Sequence, residues 1–180
     1  MTMRASATVA LMLTLAGAAA ARAADHPNTV PKDTCTTKAP PPAEMAAWST
    51  PVDLPAATSE AGLRKAQLAP GAAITAAFNP VDQVTYRVPP EKADGPATFG
   101  GLYGLKIVQA GTYRIASSAA PWMDVFAAKI PVTSTAHGHG PACTGIGKMV
   151  DFPLGPGDYL VQFSESLSPK TEIMVVKLAP

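Results

Sequence analysis

The sequence predicts an all-β fold, an antiparallel β-sandwich or jelly-roll of about eight or nine strands behind a Pro-rich N-terminal arm. Three observations carry that expectation. The 180 residues include 19 prolines and 14 glycines, a density of turn formers that leaves little room for long helices. Short apolar or alternating segments recur between those turns. The gaps between them are too short for the crossover helices that a parallel sheet needs.

The chain opens on a secretory signal peptide, residues 1–23. Arg4 supplies its positive end, and residues 7–20 form an uncharged apolar stretch too short to span a bilayer. Small residues at Ala19, Ala21 and Ala23 suit a signal peptidase, with cleavage expected before Ala24 and a competing small-residue triplet at 19–21. The expected location is therefore periplasmic or secreted, with no transmembrane span after cleavage. Arg4 and Arg22 leave with the signal, which takes the 14 Lys+Arg of the full chain to 12, against 13 Asp+Glu. A near-neutral chain without a basic stripe argues against a nucleic-acid partner.

Residues 24–62 are expected to form an extended arm. Pro27, Pro31, Pro40, Pro41, Pro42, Pro51 and Pro55 punctuate it, and proline cannot donate to a β-ladder. Met45 and Trp48 are its large apolar anchors. A β-sandwich domain follows over residues 63–180. Its expected strands lie near 73–78, 83–88, 99–108, 112–116, 122–126, 129–135, 148–154, 159–163 and 173–178. A turn-Gly-x-Tyr-strand pattern occurs twice, at Gly111 and Tyr113 and again at Gly157 and Tyr159. In each, the glycine permits a tight turn and the tyrosine hydroxyl is placed to satisfy a nearby backbone group.

The stretch from Leu105 to Leu178 resembles the pre-peptidase C-terminal type of secreted β-sandwich. The shared features are Gly111 and Tyr113, Asp124 in the next strand, and a late Leu154-x-Pro156-Gly157-x-Tyr159 strand. That resemblance implies an accessory module on exported bacterial proteins, ligand-associating and without catalysis of its own. The chain differs by carrying a His/Cys loop. It also resembles small uncharacterised periplasmic proteins in its Trp-x-Asp-Val and His-Gly-x-Gly-x-x-Cys features.

That loop is the densest polar cluster. His137 and His139, at i and i+2, share a face if the backbone is extended, and a Cys143 thiolate can complete three ligands for zinc or copper. His137-x-His139 is also half of a cupin-type iron site, the pattern of a ring-cleaving oxygenase such as homogentisate dioxygenase. Asp151 or Glu165 would then have to replace the missing carboxylate. The competing expectation for Cys143 is a disulfide to Cys35, which would remove the thiolate. Cleavage before Ala24 places His26 third in the mature chain, where a free amine, two amides and an imidazole can hold copper in a square plane. Trp122, Asp124 and Lys148 are the remaining site candidates, with Asp124 expected to pair with Lys148 or a backbone turn. No nucleophile elbow or phosphate-cradling loop is present.

The leading functional expectation is an exported, non-catalytic binding or accessory protein whose partner is a small ligand, a metal ion or an envelope protein. The alternatives are a periplasmic metalloprotein or oxygenase using His137 and His139, and an envelope structural module using the arm.

Overall fold

The computed structural model describes residues 35–90 and 98–179. The expected signal peptide and His26 lie outside the described residues. The described chain is a sandwich of two six-stranded sheets. Its strands are β1 (Val52–Pro55), β2 (Gln67–Leu68), β3 (Ala73–Ala77), β4 (Asn79–Pro80), β5 (Phe99–Ile107), β6 (Gly111–Ser117), β7 (Trp122–Ala127), β8 (Ile130–Pro131), β9 (Ala136–Gly138), β10 (Lys148–Leu154), β11 (Gly157–Ser166) and β12 (Lys170–Lys177). The first sheet runs β1-β3-β12-β6-β10-β9; the second runs β2-β5-β11-β7-β8, with β4 also on β5.

The all-β sandwich is as expected, with more strands than expected. Pairing is mostly antiparallel, but β1 joins β3 and β2 joins β5 in parallel, so both sheets are mixed. Each parallel pair adds one short strand, β1 of four residues or β2 of two, to a sheet edge, and among the described residues the only helix between β1 and β3 is the 3-10 turn Glu60–Lys65.

Side-chain alternation assigns the faces. On β10, Val150, Phe152 and Leu154 enter the main core between the sheets. On β12, Ile173 and Val175 do the same, while Met174 and Val176 belong to a second apolar cluster. That cluster lies on the outer face of the first sheet. It joins Met45 and Trp48 to Ala73, Ala116, Ile146, Met174 and Val176. A strand buried on both faces reads as an unbroken apolar run, and Ile173-Met174-Val175-Val176 is such a run.

Met45 and Trp48 come from a 3-10 segment, Ala43–Ser49, entered through Pro42, whose carbonyl accepts the Met45 N–H at 2.8 Å. Both side chains are buried. The small side chains of Ala73 and Ala116 leave room for the indole. The segment is tied down again upstream, where Ala39 N–H donates to Cys143 O at 2.8 Å and Cys35 forms a disulfide with Cys143. Residues 43–62, expected in the arm, are thus built into the domain: β1 is an edge strand of the first sheet, and Ala57 exchanges backbone hydrogen bonds with Leu102. Prolines at 51 and 55 flank a strand that pairs along one edge alone, a position that tolerates a missing donor.

The expected strand at 83–88 does not form. Val81–Gln83 is a 3-10 turn, and the following residues lie across the outer face of the second sheet. There the buried Gln162 amide replaces a neighbouring strand: its Oε1 accepts from Arg87 N and its Nε2 donates to Val88 O at 2.7 Å. Tyr86 settles over Gly100, where an added Cβ would fall under 3.0 Å from both Tyr86 Oη and Phe163 O. Burial pushes the Tyr86 hydroxyl up to about 12. Arg87 closes the outer face by pairing with Glu60 and lying 5.8 Å from the Phe126 ring centre. The expected strand at 129–135 shortens to β8.

Both turn tyrosines act alike. Tyr113 Oη donates to Gln109 O at 2.8 Å and Tyr159 Oη to Gly155 O at 2.9 Å, each reaching back four residues. Tyr113→Phe is expected to lower stability by about 1 kcal/mol, read as a shift in the urea midpoint at constant slope. An unchanged midpoint would show that solvent satisfies the Gln109 carbonyl equally well.

Candidate functional site

Strands β8 and β9 end the two sheets on the same side of the sandwich. A cleft of about 190 Å³ opens there, lined by Trp122, Met123, Ser134, His137, Lys148 and Val150. Its floor is apolar. Val150 and Met123 are core residues from β10 and β7, one from each sheet. Its rim is polar.

Register fixes the rim. His137 is the Cα partner of Val150, so its side chain shares that inward face at the sheet edge. Lys148, two residues before Val150, points to the same side. Trp122 begins β7 opposite Ser164 and is 57% exposed, an unusual surface for an indole.

Four candidates from the sequence meet here: His137, Trp122, Asp124 and Lys148. Trp122 Nε1 donates to Asp124 Oδ1 at 3.0 Å, which sets the plane of the ring. Lys148 Nζ lies 5.4 Å from the Trp122 ring centre and donates to Pro121 O at 2.8 Å. Burial holds the Lys148 ammonium below the usual lysine range, against the opposing pull of Glu165 and Asp124. Glu165 takes a left-handed φ of +57°, where the β11–β5 register shifts between Phe163 and Ser166. Met123, Ser134 and Val150 were not singled out from the sequence. Their convergence is made by packing two sheets, and no local pattern announces it.

The expected metal set is overturned at Cys143. Its sulfur is bonded to Cys35, with the two Cα atoms 5.5 Å apart, so no thiolate is available to zinc or copper. The cysteine has a left-handed φ of +63°. His139 lies beyond the end of β9 and its Nδ1 is 2.8 Å from Gly147 O. Among the described residues no three His, Cys, Asp or Glu side chains are grouped to hold a metal ion. Asp151, the carboxylate considered for a cupin-type site, is held by both oxygens: Arg114 Nε and Nη2 each donate to it at 2.8 Å. That pairing raises the Arg114 pKa further.

The hydroxyls of Ser117 and Ser118 are occupied structurally, whereas the buried Ser164 Oγ meets no hydrogen-bond partner among the described residues. Ser117 and Ser118 Oγ lie 3.1 and 2.9 Å from Thr171 Oγ1, and Ser118 Oγ accepts the Glu172 N–H. A second hollow, about 320 Å³, is lined by Val81, Asp82, Val84, Tyr86, Pro89 and Pro90. It is larger, but it gathers fewer polar groups than the Trp122 cleft. An apolar floor with convergent polar groups is the better mark of a ligand site.

Among the described residues no helix is long and apolar enough to cross a membrane. No protein-family model matches the chain, and no curated protein matches it.

Proposed function

We propose that this chain is an exported, non-catalytic binding protein, and that its ligand site is the cleft between Trp122, Lys148 and His137. The observation that carries this reading is the convergence of an exposed indole, an ammonium and an imidazole over an apolar floor where the two sheets part. Groups held by strands β7, β9 and β10 are positioned by backbone ladders, not by mobile loops. The Cys35–Cys143 disulfide fits an oxidising compartment, and so supports export. A non-catalytic role is supported by the structural use of Ser117, Ser118 and Asp151.

The test is a fragment screen by two-dimensional NMR on ¹⁵N-labelled protein with the disulfide intact. Binding should shift the indole N–H of Trp122 and the amides of His137 and Lys148. The indole N–H of Trp48, buried on the far face of the first sheet, should stay in place. A screen in which no fragment moves the Trp122 signals would reject the cleft as a binding site.

A further inference from the structure

The donors and acceptors of the cleft are unequal in number, and that inequality specifies a ligand. The Lys148 ammonium carries three donors, of which Pro121 O takes one. His137 and Ser134 each add a group able to donate. Asp124 Oδ1 faces the Trp122 indole N–H. The rim therefore offers more hydrogen-bond donors than acceptors to an incoming molecule, and the Lys148 ammonium is its cation. Beneath it, Met123 and Val150 offer only carbon and sulfur, and the Trp122 ring stands beside them.

The size of the charge is also limited. Asp124 and Glu165 both act on Lys148, so the cleft sits near two carboxylates. A phosphate monoester brings about −1.5 to −2 charges at neutral pH, and those carboxylates repel it. A single negative charge is repelled about half as much and still meets the one ammonium directly. The volume, about 190 Å³, is below the roughly 300–1,000 Å³ of clefts that hold drug-sized ligands. A sugar ring is a poorer match, because it presents donors as well as acceptors and the rim has few acceptors to meet them.

Resting on the proposal that this cleft is the binding site, we infer that its ligand is a small monocarboxylate with a flat apolar body, its carboxylate at Lys148 and His137 and its body against Trp122, Met123 and Val150. An amphipathic anion of this kind uses every surface the cleft presents. The ammonium meets the charge, the imidazole and the Ser134 hydroxyl supply further donors, and the apolar floor is covered.

Benzoate is the probe, titrated by NMR and calorimetry into the full disulfide-bonded protein. Benzoate should move the Trp122 indole N–H saturably. Benzamide, its neutral counterpart, and acetate, which lacks the ring, should each bind about tenfold more weakly or worse, as expected for losing a charge-assisted hydrogen bond or the apolar contact. Inorganic phosphate should not displace benzoate. Lys148→Met removes a half-buried ammonium and keeps the aliphatic stem, so the fold should persist; its benzoate affinity should fall about tenfold.

Benzamide binding as tightly as benzoate would overturn the anion assignment while leaving the cleft a site. Acetate equal to benzoate would overturn the apolar body. Phosphate displacing benzoate would overturn the monocarboxylate class. If other fragments occupy the cleft and benzoate does not, the ligand inference falls alone; if nothing does, the proposed site falls with it.

Discussion

Removing the Cys35–Cys143 disulfide, by reduction or by Cys35→Ala with Cys143→Ala, is expected to destabilise the domain by up to about 4–5 kcal/mol. The two cysteines are 108 residues apart, and in the chain-entropy account a cross-link over about 100 residues restricts the unfolded chain by that amount. The bond holds a segment with buried anchors of its own, Met45 and Trp48. The Ala43–Ser49 segment should therefore stay docked in the reduced native state, with the loss appearing in the unfolding equilibrium. Guanidinium unfolding of the oxidised and reduced protein separates the two cases. A lower midpoint with Trp48 still buried before the transition fits the expectation. An unchanged midpoint would mean that the unfolded chain gains nothing from being untied.

Phe163→Ala is expected to cost about 3–5 kcal/mol. Phe163 is fully buried on β11, the strand between β5 and β7. Its ring packs 5.6 Å from that of Phe78 and edge-on, at 5.9 Å, to that of Tyr103. Tyr103 in turn donates its hydroxyl to Leu54 O at 2.9 Å, reaching the edge of the opposite sheet. Truncation would open a cavity where both sheets and the β3–β4 connection meet. Those neighbours are fixed by ladder pairing and cannot collapse into it. Thermal and urea unfolding should both show the loss, and Phe163→Leu should recover much of it. A cost below about 1 kcal/mol for the alanine variant would show that the surroundings do close around the gap.

The sandwich was legible because its turns are explicit. Gly111 and Tyr113, and Gly157 and Tyr159, mark two strand starts, and both tyrosines close back onto the turn as that pattern implies. The arm ends earlier than its prolines imply, because Met45 and Trp48 anchor the chain on the first sheet. A proline-rich segment can still supply an edge strand, as β1 does, and a two-sided apolar strand such as β12 needs something on its second face. Residues 83–88 alternate like a strand, yet Arg87 and Val88 bond a side chain, Gln162, 75 and 74 residues away, and Thr85 N–H donates to Thr58 O. No local pattern encodes those partners.

The candidate site was half legible. Trp122, Asp124 and Lys148 stand out as an aromatic and two charged residues in strands, and they do meet. The His/Cys loop suggested a ligand set, but residue types alone cannot tell a thiolate from half of a disulfide. His137 entered the cleft through its register against Val150, a long-range fact. The side chains that complete the floor come from separate sheets.

The position of β12 bears on how the molecule comes into being. Residues 170–177 are the final strand in sequence, yet they lie between β3 and β6 in the middle of the first sheet. Until they pair, β3 lacks its antiparallel neighbour and the surface under Trp48 is incomplete. The first sheet therefore closes only when strands far apart in sequence pair, and such distant pairings assemble slowly. Until β12 inserts, β3 and β6 each present an unpaired edge, and an unpaired edge is a template for pairing with another chain.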